Sequence, residues 1–105
     1  MIRYFAAAVV LACLPAQACD IEVTQKDGAF SRKQLTAHVG DTLVIRNEGS
    51  SFDNAFSVSK AQPFNLGVYP RGASKSISLL HEGTVEIESA MHPKQKVTVK
   101  VSPRI

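Results

Sequence analysis

From Asp20 onward, apolar and polar residues alternate in short runs, and glycine, proline or small polar residues close each run. Alternation at period two puts every second side chain on one face, the mark of a half-buried strand. Such runs occupy Asp20–Thr24, Leu35–Val39, Thr42–Arg46, Phe52–Val58, Ser74–Leu80, Val85–Ser89 and Val97–Val101. Turn signals separate them at Lys26-Asp27-Gly28, Gly40-Asp41, Glu48–Ser51 and His81-Glu82-Gly83. Tyr69-Pro70 reads as a rigid turn, because proline biases the residue before it to an extended conformation. Past the N-terminus no window sustains helical periodicity. The pattern predicts an all-β domain of about seven to eight strands, arranged as two sheets with their inner faces together. The expected core is Val23, Leu43, Ile45, Phe56, Val58, Leu66, Ile77, Leu79, Val85, Ile87, Val97 and Val99, with Ser89 on the same face as Val85 and Ile87.

The first residues obey a different pattern. Arg3 precedes an apolar run from Tyr4 to Leu14, then come Pro15 and Ala16-Gln17-Ala18. A positive end, a short apolar middle and an Ala-x-Ala site make an export signal. The run is too short for a comfortable membrane span. Residues 1–18 are therefore expected to be a signal peptide, residues 19–105 the working domain, and the periplasm its compartment. Cys13 leaves with the signal, so the cut chain keeps one thiol, Cys19, and no internal disulfide. A cysteine at the new N-terminus also raises lipid anchoring, although Ala16-Gln17-Ala18 fits a lipoprotein signal poorly. A membrane is a partner only in that case. The length of 105 residues suits one domain. A net charge of +3, with both signs interspersed, gives no basic stripe and argues against nucleic acid.

Two strands flanking Ser89-Ala90-Met91-His92-Pro93-Lys94-Gln95 resemble the C-terminal half of a cupredoxin of the plastocyanin and amicyanin type. In that family the loop reads Cys-x-x-His-Pro-x-Met, and its Cys, His and Met bind a type 1 copper ion. Val39–Asn47 is similar to the family segment in which a Gly-Asp turn feeds a core strand ending at Asn. Asp53-Asn54 stands where the family carries His-Asn, the His being the first copper ligand and the Asn a bridge between the two ligand-bearing loops. Phe64–Gly72 resembles the connecting segment of small plastocyanin-like proteins linked to methylamine utilisation. The resemblance runs from Ile21 to Val101. It implies a cupredoxin-like Greek-key β-sandwich, in a family whose members transfer electrons through copper.

By that resemblance the metal positions are Asp53, Ser89, His92 and Gln95, and only His92 keeps the family's residue type. A blue-copper site needs a soft thiolate together with imidazoles. Ser89 offers a hydroxyl that stays protonated near neutrality, Asp53 a hard oxygen, and Gln95 at best a weak axial donor. The expectation is a degenerate copper site and no cofactor, copper being the one ion the resemblance would supply. His38 and His81 should lie at the opposite end of the strands, and two histidines lacking a third ligand make a weak site. Met91 reads as apolar packing or an exposed loop residue rather than a thioether ligand. Ser89, His92 and Asp53 invite comparison with a hydrolytic triad, but no oxyanion-binding feature accompanies them, and the chain is read as not an enzyme. The leading expectation is an exported, non-redox binding or accessory module with a periplasmic protein partner. Its docking patch would come from Phe52, Leu66, Pro70, Met91 and Pro93. A copper-binding or electron-transfer protein with an altered site around His92 is the alternative, and a lipid-anchored envelope partner is another.

Overall fold

The alternating runs become strands in a computed structural model that describes residues 18–104. Apart from Ala18, the expected export signal lies outside the described residues. The strands are β1 Asp20–Lys26, β2 Ala29–Phe30, β3 Gln34–His38, β4 Thr42–Asn47, β5 Asp53–Ser57, β6 Phe64–Tyr69, β7 Ser74–Ser78, β8 Gly83–Glu88 and β9 Lys96–Ser102. They form a four-stranded sheet in the order β2-β1-β4-β7 and a five-stranded sheet in the order β3-β9-β8-β5-β6. Both sheets are mixed: β1 runs parallel to β4 and β3 parallel to β9, while the other pairs are antiparallel. The result is the all-β sandwich expected, with two strands more precisely resolved than the pattern allowed. One is the two-residue β2; the other is β6, which reads in the sequence as a connecting segment.

Between the sheets, Val23, Leu43 and Ile45 meet Leu35, Val85, Ile87, Val97 and Val99, all buried. Each large apolar side chain so placed contributes about 1.5–3 kcal/mol. Two expected core residues are corrected. Val58 is 76% exposed, and Phe56 is only half-buried. On β5 it is Asp53, Ala55 and Ser57 that face inward, so the strand runs in the opposite phase from the one its aromatic residue suggests. Leu66 and Ile77 sit half-buried at the rim of the core. Phase also shifts within β6. Gly67 takes φ +78°, a left-handed conformation that glycine adopts at little steric cost. That kink turns Val68 outward, 60% exposed, and carries Tyr69 inward, 1% exposed.

Strand direction sorts the loops into two ends. β4 ends at Asn47, β5 begins at Asp53 opposite Tyr69, and β8 and β9 are joined through Ser89–Gln95. These residues share one end. The other end holds Cys19, His38–Asp41 and Arg104, gathered on the buried carboxylate of Asp41. Asp41 accepts from the Cys19 N–H at 3.0 Å, the His38 N–H at 2.9 Å and the Arg104 guanidinium. Cys19 takes part in a disulfide, where the sequence, read with cleavage after Ala18, predicts a lone thiol.

Candidate functional site

β5 delivers Asp53 to the loop end of the sandwich with its carboxylate 5% exposed. The β8–β9 loop brings Ser89, His92 and Gln95 to the same carboxylate. Oδ1 accepts from Ser89 Oγ at 2.6 Å and from the N–H of Asn54 at 2.8 Å. Oδ2 accepts from Gln95 Nε2 at 3.0 Å and lies 3.3 Å from His92 Nδ1. All four positions singled out in the sequence therefore converge, with Asp53 at their hub. Ser89 and Gln95 are buried, whereas the His92 side chain is 39% exposed and lies against the β1–β2 turn. Neither His92 Nδ1 nor Gln95 Oε1, both buried atoms, completes a hydrogen bond.

Asn54 ties the two loops together, as the resemblance implies. Its Oδ1 accepts from the Ala90 N–H at 2.8 Å and lies 3.3 Å from Ser89 Oγ. A second polar layer supports this one. Gln25 Nε2 donates to the Asn54 carbonyl at 3.0 Å, and Tyr69 Oη donates to Gln25 Oε1 at 2.6 Å. Asn47 Nδ2 reaches the carbonyls of Ser51 and Tyr69, while its Oδ1 accepts from the Gly49 N–H. Gln25 and Tyr69 were not singled out in the sequence as site residues. A signal for Gln25 was present: it follows Ile21 and Val23 on the inward phase of β1, where a polar side chain needs a buried partner. Tyr69 gave no such signal, because the kink at Gly67 decides which way it points.

Burial pushes the Asp53 carboxyl upward, but more strongly opposed effects leave it below its ordinary value of 3.8. Those are the hydrogen bonds from Ser89, Gln95 and the Asn54 N–H, together with the charge of a protonated His92. Burial, joined by the Asp53 charge, raises the Tyr69 phenol to about 12 despite the Gln25 hydrogen bond, so it remains a neutral donor. The pH consequence has a definite sign. A carboxyl depressed on folding stabilises the fold fully above its unfolded value and loses that contribution as pH falls through the folded value. Denaturant unfolding of wild type and Asp53→Asn is therefore expected to show a stability gap that is constant above pH ~5 and narrows below the unfolded carboxyl value near 3.8. A gap unchanged down to pH ~2.5 would count against an ionised hub.

Several large apolar side chains are exposed at this end, among polar ones such as Ser50, Ser51 and Lys94. Phe52 is 55% exposed, Val68 60% and Met91 48%, and Pro70 and Pro93 are exposed beside them. Leu66, expected in the patch, is half-buried. His38 sits beside Asp41 at the other end, and His81 precedes β8 there too. No group of three or more His, Cys, Asp or Glu side chains is placed to hold a metal among the described residues. A cavity of about 200 Å³ lies between His92, Asp53, Asn47 and the Lys26–Gly28 turn. A larger cleft of about 1040 Å³ runs between β1 and β3 and contains none of the four converging residues, so size does not locate the chemistry. The triad comparison meets a geometric obstacle: Ser89 Oγ donates to Asp53 and accepts from the backbone N–H groups of Met91 and His92. No hydrogen bond joins it to the imidazole.

The two-sheet sandwich, with this cluster between the β4–β5 and β8–β9 loops, has close counterparts among solved structures. A methionine-to-alanine mutant of amicyanin in its Cu(I) form matches with a TM-score of 0.73 at 20% identity, over 79% of this chain and 82% of that one. A purple cupredoxin from Nitrosopumilus maritimus matches with a TM-score of 0.70 at 22% identity, over 79% of this chain and all of its own. A reduced tryptophan-to-tyrosine mutant of amicyanin gives 0.72 at 18% identity over 89% of each chain. No family model and no curated protein matches the sequence. The chain has the cupredoxin fold. Whether its residues suit that fold's copper ion is a separate matter of donor chemistry. One imidazole, one amide, one hydroxyl and one carboxylate contain no thiolate, and the hydroxyl and carboxylate are already engaged with each other at 2.6 Å. The residues do not fit a type 1 copper ion.

Proposed function

We propose that this chain is an exported, non-redox member of the cupredoxin fold that acts as a protein-binding accessory module in the periplasm. The observation that carries the reading is the pairing of a self-engaged polar cluster with an exposed apolar rim at one end. The side chains at the ligand positions hydrogen-bond to one another, while Phe52, Val68 and Met91 face solvent around them. Large apolar side chains exposed together at one end are the kind of surface that supports an interaction site. The pattern of residues 1–18 supports export, and no enzymatic activity is assigned. A photo-reactive side chain at position 52 is expected to give a discrete crosslinked product in periplasm. The same group at Val58, exposed at the other end of β5, should give none. One copper per chain with an intense visible absorption on Cu(II) loading of the purified protein would overturn the non-redox reading.

A second reading is a copper-binding or electron-transfer protein with an altered coordination set around His92. It is favoured by the two buried atoms with unfilled hydrogen-bonding capacity, His92 Nδ1 and Gln95 Oε1. It requires stoichiometric metal binding that His92→Ala abolishes and that His38→Ala and His81→Ala leave intact. In a lipid-anchored form, attachment at Cys19 would hold the membrane at the Asp41 end and present the apolar rim outward.

A further inference from the structure

We propose that Asp53 itself serves as the crosslink between the two loops, and that in doing so it closes the site to divalent cations. This deepens the non-redox reading and rests on it. An ionised carboxylate has about four lone-pair directions. At Asp53 three are taken by donors of the same chain, and the fourth faces an imidazole nitrogen that makes no hydrogen bond. Ser89 Oγ and the Asn54 N–H occupy Oδ1. Gln95 Nε2 occupies Oδ2, and His92 Nδ1 stands 3.3 Å from it. A metal ion on Oδ1 must therefore displace a protein donor from a buried position, and one on Oδ2 is confined to the side that His92 faces.

Nor is Ser89 free. The Ser89 hydroxyl gives its one proton to Asp53 and receives the Met91 and His92 N–H groups at 3.2 Å each. Coordinating it to a metal would strip the β8–β9 loop of the acceptor that shapes its first turn. Gln95 is wholly buried, with its amide nitrogen on Asp53. Its Oε1 has no partner, but a neutral amide oxygen is a poor ligand for Zn(II) or Cu(II) beside the nitrogen and sulfur donors those ions prefer. Only His92 Nδ1 and Gln95 Oε1 can engage a metal without breaking a hydrogen bond, and one imidazole with one amide oxygen holds such an ion only weakly. The two loops are already joined by the Ser89 and Gln95 hydrogen bonds to Asp53 and by the Ala90 N–H on Asn54 Oδ1, with no metal needed between them.

The test titrates the full chain with Zn(II) and with Cu(II) and follows denaturant unfolding in chelator and in excess metal. The unfolding midpoint of the wild type is expected to be the same in both, and neither ion should give a saturable one-to-one isotherm. An Asp53→His, Ser89→Cys double variant, which removes the hub and supplies soft donors, is expected to bind either ion roughly tenfold or more tightly than wild type. Saturable one-to-one binding of Zn(II) by the wild type, lost in His92→Ala, would overturn the closed site. Colourless binding of that kind leaves the crosslinking result at position 52 untouched, so the two readings fail separately. If the double variant does not fold, the chelator comparison on the wild type decides alone.

Discussion

Replacing Asp53 with alanine is expected to cost about 3 kcal/mol or more, because it removes one acceptor from several buried donors at once. Ser89 and Gln95 are 2% and 0% exposed, so water does not readily take the place of the carboxylate. Each buried donor left without a partner costs about 1–3 kcal/mol. The Asn54 N–H loses its acceptor as well. For a domain of this size the loss corresponds to a fall in Tm of more than about 10 °C. Asp53→Asn should be far milder, about 1 kcal/mol. Its retained oxygen still accepts from Ser89 and Asn54. Its new amide can donate to Gln95 Oε1 once the Gln95 side chain turns over, which gives that orphaned oxygen a partner. Thermal unfolding of the two variants near neutral pH checks the contrast; equal losses would mean that Asp53 matters for its charge and not for its geometry.

Much of the fold was legible because burial imposes period two on a strand, and β1, β4, β8 and β9 obey it throughout. Ser89 fell on the inward face with Val85 and Ile87, as the phase required. The misreadings occur where a single residue breaks the period. Gly67 reverses the phase of β6, and β5 turns its small residues and Asp53 inward at the expense of Phe56 and Val58. Hydropathy favours Phe56 in the core, but the requirement that Asp53 reach the loops outweighs it, since inward positions on one strand are linked two by two.

The candidate site was legible as a set of positions and not as an arrangement. Resemblance placed Asp53, Ser89, His92 and Gln95 together, and the structure brings all four into contact. What no spacing conveys is which atom serves as hub. Substitutions from sulfur and imidazole to oxygen read singly as losses of metal ligands. Taken together they place one acceptor, Asp53, among the donors Ser89, Gln95 and the Asn54 N–H, a coherent hydrogen-bonding set. The supporting layer was harder to see, since Gln25 and Tyr69 meet across 44 positions of sequence, and no local pattern encodes a contact of that range.

At the other end of the sandwich, Asp41→Ala is expected to destabilise the fold by about 2–4 kcal/mol without altering the Asp53 cluster. Asp41 is 2% exposed and joins three separate pieces of chain: Cys19 before β1, His38 at the end of β3, and Arg104 after β9. The guanidinium also donates from Nε to the Val39 carbonyl at 2.8 Å. Losing the carboxylate leaves two backbone N–H groups without their acceptor and the Arg104 charge without its buried counterpart. The Arg104 side chain is 22% exposed, so water recovers part of its solvation, which keeps the estimate below the full cost of an unpaired buried charge. Arg104→Ala should therefore lose less than Asp41→Ala, because the two backbone donors keep their carboxylate. A double-mutant cycle should return a coupling of about 0.5–3 kcal/mol. Additive losses from the two single variants would show that the Asp41–Arg104 pair adds nothing beyond what each residue contributes through its other partners.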